Sequence, residues 1–146
     1  MRIVFSALLA GALVASCGQK SATSTETTQE TTQEKPQVET LVAENVDVDQ
    51  FAKLVAAGEG QLVDVRTPDE YAEGHIAGAA NMDIYSETFE SSIATLDKET
   101  PVYVYCRSGG RSGKAMKMMN DMGFKNVYNL DGGMNAWSGA NQPVEK

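Results

Sequence analysis

The chain has 146 residues, 42% of them hydrophobic and 22% charged, so it can bury one ordinary core but not two large domains. Twenty acidic and twelve basic residues give a formal net charge of -8, which argues against nucleic acid as a partner. The same charge repels small anions at long range, so a site for an anionic substrate has to be built locally.

The N-terminus has the pattern of a secretory signal peptide. Arg2 precedes an apolar run over residues 3–15, which is too short for a bilayer span of roughly twenty residues. The run leads into Val-Ala-Ser-Cys at residues 14–17, which resembles the lipobox of bacterial lipoproteins. The resemblance implies that residues 1–16 are removed and that Cys17 is acylated. In the alternative, a conventional signal peptide is cleaved nearby and Cys17 stays an ordinary thiol.

An acylated Cys17 implies an extracytoplasmic protein that is anchored to a bacterial membrane by lipid, on the periplasmic side of the outer membrane if the cell has one. From Gln19 to Thr40 the composition turns to Ser, Thr, Gln and Glu without apolar periodicity, so nothing offsets the entropy of ordering. We therefore predict a lipidated, disordered tether over residues 17–40 and a folded domain over residues 41–146. Recruitment of a partner by the acidic tract is the alternative.

Short strands and helices alternate in the first half of the folded part. The predicted elements are a strand over residues 41–46, a helix capped by Asp47 or Asp49 that runs to about Ala57 and is ended by Gly58 and Gly60, a strand over residues 61–65, and a helix capped by Thr67. Pro68 stands at the first position of that last helix, and Glu70 follows Thr67 by three residues, as in a capping box.

The alternation continues to the C-terminus. The predicted elements are a strand over residues 78–82, a helix over 86–96, a strand over 102–105, a helix over 112–122 ended by Gly123, a strand over 126–129, and a short helix that carries Trp137. This order predicts an α/β domain with a mostly parallel central sheet and helices on both faces. We expect Met118, Met119, Met122 and Trp137 to serve in packing, and the protein to be a monomer.

Residues 106–112, Cys-Arg-Ser-Gly-Gly-Arg-Ser, lie between an apolar strand and a helix, where α/β proteins place their ligands. Gly109 and Gly110 permit a tight turn whose backbone N–H groups point inward and bind an anion. The helix that begins near Ser112 adds its positive end to the same point. The segment therefore predicts a local anion site.

Cys106 stands at the start of this predicted site. The N–H groups, together with Arg107 and Arg111, are expected to lower its pKa and to make it a nucleophile that needs neither a metal nor an organic cofactor. Cys17 and Cys106 are the only cysteines, so acylation of Cys17 leaves one thiol and no intramolecular dithiol cycle. A buried structural cysteine is the alternative.

Four spaced motifs resemble the successive signatures of the rhodanese family. They are Asp64-Val65-Arg66-Thr67-Pro68-Asp69-Glu70-Tyr71, Gly74-His75-Ile76-Ala77-Gly78-Ala79 with Asn81, the Cys106–Ser112 segment, and Leu130-Asp131-Gly132-Gly133 with Trp137. They occur in the order of the family and cover about residues 41–141. Ala77 departs from the family, which often has proline there.

The resemblance implies a single rhodanese-like domain that acts as a sulfurtransferase. Such a protein moves sulfane sulfur from thiosulfate or a similar anionic donor to a thiol or cyanide, through a persulfide on Cys106. The implied substrate-binding residues are Arg107, Ser108, Gly109, Gly110, Arg111 and Ser112. Arg111 would bind the donor or orient the loop, and Arg107 would tune donor preference.

Two further groups of residues have a structural alternative. Asp64 and Arg66 are expected to support the pocket from the neighbouring strand end, or else to form a salt-bridge and turn scaffold that includes Glu70. His75, the only histidine, either acts as a general base or packs a turn.

Two other functions compete with sulfur transfer. Phosphatases and arsenate reductases with related loops also close an N–H ring with an arginine, but their loop is one residue longer, whereas four residues separate Cys106 from Arg111 here. A non-catalytic module that docks a partner or senses oxidants is the second alternative. Because an extracytoplasmic thiolate is open to overoxidation, a thiol-redox protein is also an expected partner.

Overall fold

The computed structural model of this protein describes residues 40–146. The predicted signal peptide, Cys17 and all but the last residue of the predicted tether lie outside this range. No helix between residues 40 and 146 has both the length and the apolar character that a membrane crossing requires.

The described residues form one sheet of five parallel strands in the order β1-β5-β4-β2-β3. The strands are β1 (Val42–Val46), β2 (Gln61–Asp64), β3 (Ala80–Asn81), β4 (Val102–Tyr105) and β5 (Asn126–Leu130). β4 lies at the centre, paired along one side with β2 and along the other with β5. Because all the strands are parallel, their carboxyl ends meet at one edge of the sheet.

Helices cover both faces of this sheet, and the predicted α/β architecture is confirmed. The helices are α1 (Val48–Ala57), α2 (Pro68–Glu73), α3 (Phe89–Ile93), α4 (Gly110–Asp121) and α5 (Gly133–Gly139). The side chains of β4 alternate between the two faces. Val102 and Val104 pack in the cluster that contains residues of α3 and α4, whereas Tyr103 and Tyr105 pack in the cluster that contains residues of α1 and α5.

The first two helices begin where their capping residues predict. The Asp47 side chain accepts a hydrogen bond from the backbone N–H of Gln50 at 2.8 Å, and α1 ends at Gly58 in the left-handed conformation. Thr67 and Glu70 form a complete capping box around the start of α2. These local signals define both ends of α1 and the start of α2.

Three predicted elements differ from the observed ones by more than one residue at an end. β3 is only two residues long because it is an edge strand that pairs with β2 alone. The predicted helix over 86–96 shortens to α3, because the backbone N–H of Thr88 bonds to the Ser86 hydroxyl in a turn that competes with a helix. α4 begins at Gly110, two residues earlier than predicted, with Gly109 as its N-cap.

The packing roles predicted for the methionines and the tryptophan are confirmed. Met119 is fully buried, and Met118 and Met122 pack in part against the same cluster. Trp137 is buried with its ring edge-to-face to that of Phe51 at 6.2 Å.

Candidate active site

Cys106 follows β4 directly and is fully buried, at the carboxyl edge of the sheet. The loop then turns at Gly109, whose φ of 88° is a conformation that favours glycine. A β-carbon at this position would lie 3.2 Å from the backbone nitrogen of Gly132 and 3.3 Å from the carbonyl oxygen of Leu130. Both the backbone conformation and the close packing therefore require glycine here.

Hydrogen bonds to the Cys106 sulfur outweigh the effect of its burial. Burial is the largest single influence on the pKa and opposes ionisation. Against it act the Ser112 hydroxyl, 3.3 Å from Sγ, and the backbone N–H groups of Ser112, Ser108 and Gly109. Together they lower the pKa of the thiol below its ordinary value, as the sequence predicted. The thiolate is thus stabilised mainly by the loop itself.

The Ser112 hydroxyl has two acceptors within reach and only one proton to donate. It lies 3.3 Å from Cys106 Sγ and 3.1 Å from the carbonyl oxygen of Gly109. An anionic sulfur is the stronger acceptor, so we expect the proton to point at Sγ when Cys106 is ionised and at the carbonyl when it is neutral. The hydroxyl therefore favours negative charge without moving the backbone.

The Gly109 carbonyl is held by three donors. They are the Ser112 hydroxyl, the backbone N–H of Gly113 at 2.9 Å, and the side-chain amide of Asn129 at 3.3 Å. Asn129 is buried in β5, and the same amide also donates to the Asn45 side chain at 2.7 Å. Sequence reasoning missed Asn129, because only the register of the sheet brings it to this loop. It positions the loop and does not touch the sulfur.

Arg111 forms a bidentate ion pair with Glu70 of α2, with N–O distances of 2.6 and 2.7 Å. The hydrogen bond from Arg111 is the main cause that lowers the pKa of Glu70 to about 2, and Glu70 in turn raises the pKa of Arg111. The guanidinium also lies 5.7 Å from the ring centroid of the exposed Tyr85. This geometry suits the loop-orienting role of Arg111, while donor binding stays a prediction.

Asp64 and Arg66 form a buried ion pair at the end of β2. Arg66 Nη2 lies 2.6 Å from Asp64 Oδ2, and the Arg66 backbone N–H donates to Oδ1 at 2.9 Å. Burial alone would lower the pKa of Arg66, but hydrogen bonding and charge from Asp64 raise it. Arg66 also donates to the Gly74 carbonyl at 2.7 Å. The salt-bridge and turn scaffold predicted as an alternative is therefore observed, although Glu70 pairs with Arg111 instead.

Comparison with known protein families agrees with this geometry. The family model described as "Rhodanese-like domain" matches residues 47–140, well over half of the chain. The chain belongs to the rhodanese-like domain family. The match contains both the Cys106 loop and the Asp64–Arg66 pair, and it lies within the predicted domain.

Several known proteins resemble this rhodanese-like domain. It is 35% identical over 98 residues to the thiosulfate sulfurtransferase GlpE of Shewanella oneidensis, over 67% of this chain and 95% of that protein. It is 40% identical over 81 residues to the uncharacterized protein YqhL of Bacillus subtilis, over 56% of this chain and 63% of that protein. The match therefore spans less than two thirds of the length of YqhL. The solution structure of a rhodanese-like domain from Anabaena sp. has a TM-score of 0.62 at 29% identity, covering 69% of this chain and 77% of that one.

The remaining predicted residues of the rhodanese-like domain lie at the surface of the loop or in packing positions. Arg107, Ser108 and Gly110 are exposed, and Arg107 lines a cleft of about 400 Å³. His75 stacks on the Tyr71 ring at 3.8 Å, and its backbone pairs with that of Glu145. His75 therefore occupies the packing position that the sequence allowed for it.

The loop of this rhodanese-like domain is built to hold negative charge on sulfur. The hydrogen bonds around Cys106 favour a thiolate. Among residues 40–146 no group of three or more His, Cys, Asp or Glu side chains could hold a metal ion.

Proposed function

We propose that this protein is a sulfurtransferase that moves sulfane sulfur from thiosulfate or a similar donor to a thiol or cyanide through a persulfide on Cys106. The observation that carries the proposal is the ring of hydrogen bonds from Ser108, Gly109 and Ser112, which lowers the pKa of the buried thiol. The resemblance to a thiosulfate sulfurtransferase over 95% of that protein's length supports it.

The reaction has two displacement steps at sulfur. The Cys106 thiolate attacks the outer sulfur of thiosulfate, the S–S bond of the donor breaks, and sulfite leaves with the bonding electrons. The acceptor then attacks the outer sulfur of the persulfide, and Cys106 leaves again as a thiolate. The donor supplies the sulfur already oxidised, so no external electrons are needed. The hydrogen bonds to Cys106 assist both steps, since each involves its thiolate.

Mass spectrometry of the intact protein after incubation with thiosulfate tests this function. We expect one added sulfur atom that maps to Cys106, that cyanide removes, and that is absent in Cys106→Ser. Release of phosphate from an aryl phosphate without sulfur loading would instead support phosphatase chemistry. A folded protein that does neither would be a binding or redox-sensing module.

We also propose that a lipid on Cys17 holds the enzyme on the extracytoplasmic side of a bacterial membrane. The support is the apolar run over residues 3–15 and the cysteine that follows it. In cells the wild-type chain should sediment with membranes and incorporate a labelled fatty acid, whereas Cys17→Ala should do neither. Equal labelling of both chains would contradict the anchor.

A further inference from the structure

A cleft of about 400 Å³ lies beside the Cys106 loop, with residues of α2 on one wall and residues of α5 on the other. Arg107, the neighbour of Cys106, lines it. The backbone N–H groups of Met134 and Asn135, at the start of α5, donate to the carbonyls of Cys106 and Arg107 at 2.8 and 3.0 Å. One wall of the cleft is therefore bonded directly to the backbone that carries the nucleophile.

Two of the four charged side chains that line the cleft are already neutralised. Arg66 is paired with Asp64, and Glu70 is paired with Arg111. The other two, Arg107 and Glu73, have no ion-pair or hydrogen-bond partner for their side chains among the residues that the structure describes. The cleft thus offers one unpaired positive charge and one unpaired negative charge to a ligand.

Glu73 is exposed at the end of α2 and lines the cleft. It is the last residue of α2, at the end of the helix where the dipole is negative and a carboxylate is unfavourable. No basic residue occurs in that last turn, but the Arg66 guanidinium donates to the carbonyl of Gly74 just beyond it. The carboxylate is therefore accessible to a positively charged group that binds in the cleft.

We propose that the cleft binds a low-molecular-weight zwitterionic thiol, an aminothiol carboxylate such as cysteine, as the acceptor of the sulfur on Cys106. Arg107 binds its carboxylate and Glu73 binds its ammonium group, because both charged side chains line the cleft and have no partner in the described chain. The inference rests on the proposed sulfurtransferase function and specifies its acceptor.

In this proposal the outer sulfur of a persulfide on Cys106, and not the thiol itself, reacts with the acceptor. Cys106 itself is fully buried and does not line the cleft, whereas the adjacent Arg107 does. A persulfide extends the side chain by an S–S bond of about 2 Å. The acceptor thiolate attacks this outer sulfur, the S–S bond to Cys106 breaks, and the acceptor leaves as its own persulfide, so the transfer needs no further reactant.

Discharge of the loaded protein to four related thiols tests this assignment. The full chain is loaded with thiosulfate and desalted, and the loss of the added sulfur is followed by mass spectrometry. Cysteine carries both charges, cysteamine lacks the carboxylate, 3-mercaptopropionate lacks the ammonium group, and 2-mercaptoethanol lacks both. Each variant is compared with wild type on the same thiol, which cancels differences in intrinsic reactivity between the thiols.

Removal of each charge should slow discharge only to the thiols that carry the opposite charge. Arg107→Gln should slow discharge to cysteine and 3-mercaptopropionate on the order of five- to tenfold, but not discharge to cysteamine or 2-mercaptoethanol. Glu73→Gln should slow discharge to cysteine and cysteamine by a similar factor, but not discharge to the other two. Two control variants remove a charge outside the cleft: Asp69→Asn on α2 matches Glu73→Gln, and Lys117→Gln on α4 matches Arg107→Gln. Neither control should discriminate among the thiols.

The failure of this inference is separable from that of the proposed function. If wild type gains no sulfur from thiosulfate, sulfur transfer itself is wrong and the acceptor assignment falls with it. If loading is normal but the variants affect all four thiols alike, only the acceptor site is wrong. If Arg107→Gln slows loading as much as discharge and Glu73→Gln has no effect, the cleft receives the donor, and the proposal is overturned.

Discussion

Two strand-to-helix connections in this domain have the same backbone arrangement but differ in the group that accepts hydrogen bonds from the first turn of the helix. Each leads from a parallel strand into a helix at the same edge of the sheet, one from β2 to α2 and the other from β4 to α4. In the first, the backbone N–H at the third helical position, that of Glu70, bonds to the hydroxyl of the N-cap Thr67. In the second, the corresponding N–H, that of Ser112, bonds to the sulfur of Cys106.

The comparison shows how a helix start becomes a reactive site. At α2 the capping box uses the N–H groups of Thr67 and Glu70, and Pro68 has no N–H to offer a ligand. α4 has glycine at its N-cap, and no side chain in the described chain caps it, so the sulfur takes the place of the cap. We therefore expect changes in the first connection to alter stability, and changes in the second to alter the thiol.

Asp64→Ala should have the largest effect of the variants considered, and this effect should be on the stability of the fold. It leaves the buried guanidinium of Arg66 without its charged partner, which costs about 3–5 kcal/mol in the free energy of unfolding. Urea denaturation measures this loss. The double variant Asp64→Leu/Arg66→Met, which removes both charges, should recover most of it. A single-variant loss of less than about 1 kcal/mol would mean that the pair is not structural.

Ser112→Ala should act mainly on the thiol. It removes the hydroxyl that donates to Cys106 but keeps the backbone N–H, so the pKa of Cys106 should rise, because the thiolate loses one hydrogen bond. The pH dependence of thiosulfate loading reports this pKa, and loading at neutral pH should slow accordingly. Ser91→Ala, at an exposed position of α3, is the matched control. An unchanged pKa in Ser112→Ala would remove the hydroxyl from the mechanism.

Glu70→Gln breaks the ion pair between Glu70 and Arg111, which joins the two connections. It should have the smallest effect, about 1 kcal/mol in the free energy of unfolding, because the pair is partly exposed. The pKa of Glu70 is lowered from 4.5 to about 2. The ionised carboxylate therefore contributes its full stability at a pH above 4.5, and this contribution is lost as the pH falls toward 2. Denaturation across this range should give a steeper loss for wild type than for Glu70→Gln.

The control for that experiment separates the ion pair from the helix cap. Gln at position 70 can still form the capping box, whereas Thr67→Ala removes the cap hydroxyl and leaves the pair with Arg111. Thr67→Ala should cost about 1 kcal/mol at every pH. Parallel pH profiles of wild type and Glu70→Gln would show that the pair contributes nothing.

Sequence reasoning succeeded where the determining interactions are local. The cap at Thr67 and the apolar run Val102–Tyr105 are read from neighbouring residues, and both are observed as predicted. The start of α4 was predicted at Ser112 rather than Gly110, because glycine opposes helix formation in isolation and only the docked loop makes Gly109 the cap. The class of the fold follows from the order of the elements and did not depend on these boundaries.

The site was predictable only in part. The Cys106 loop is contiguous and its motif is visible, but the partner of Arg111 is 41 residues away, and any of the 20 acidic residues of the chain was a candidate for it. Asn129 reaches the Gly109 carbonyl from β5, across 20 residues and through the register of the sheet. Such contacts depend on the tertiary structure, so no local sequence pattern predicts them.

The central position of β4 has a consequence for how the protein responds to heat. β4 is hydrogen-bonded along both sides and leads directly into Cys106, whereas the cleft is walled by the short α2 and α5 and by Val144 near the C-terminus. Local opening costs most free energy at the middle of a sheet and least at such peripheral segments. On warming, therefore, discrimination among thiols should fade at temperatures where the capacity to store sulfur is still intact.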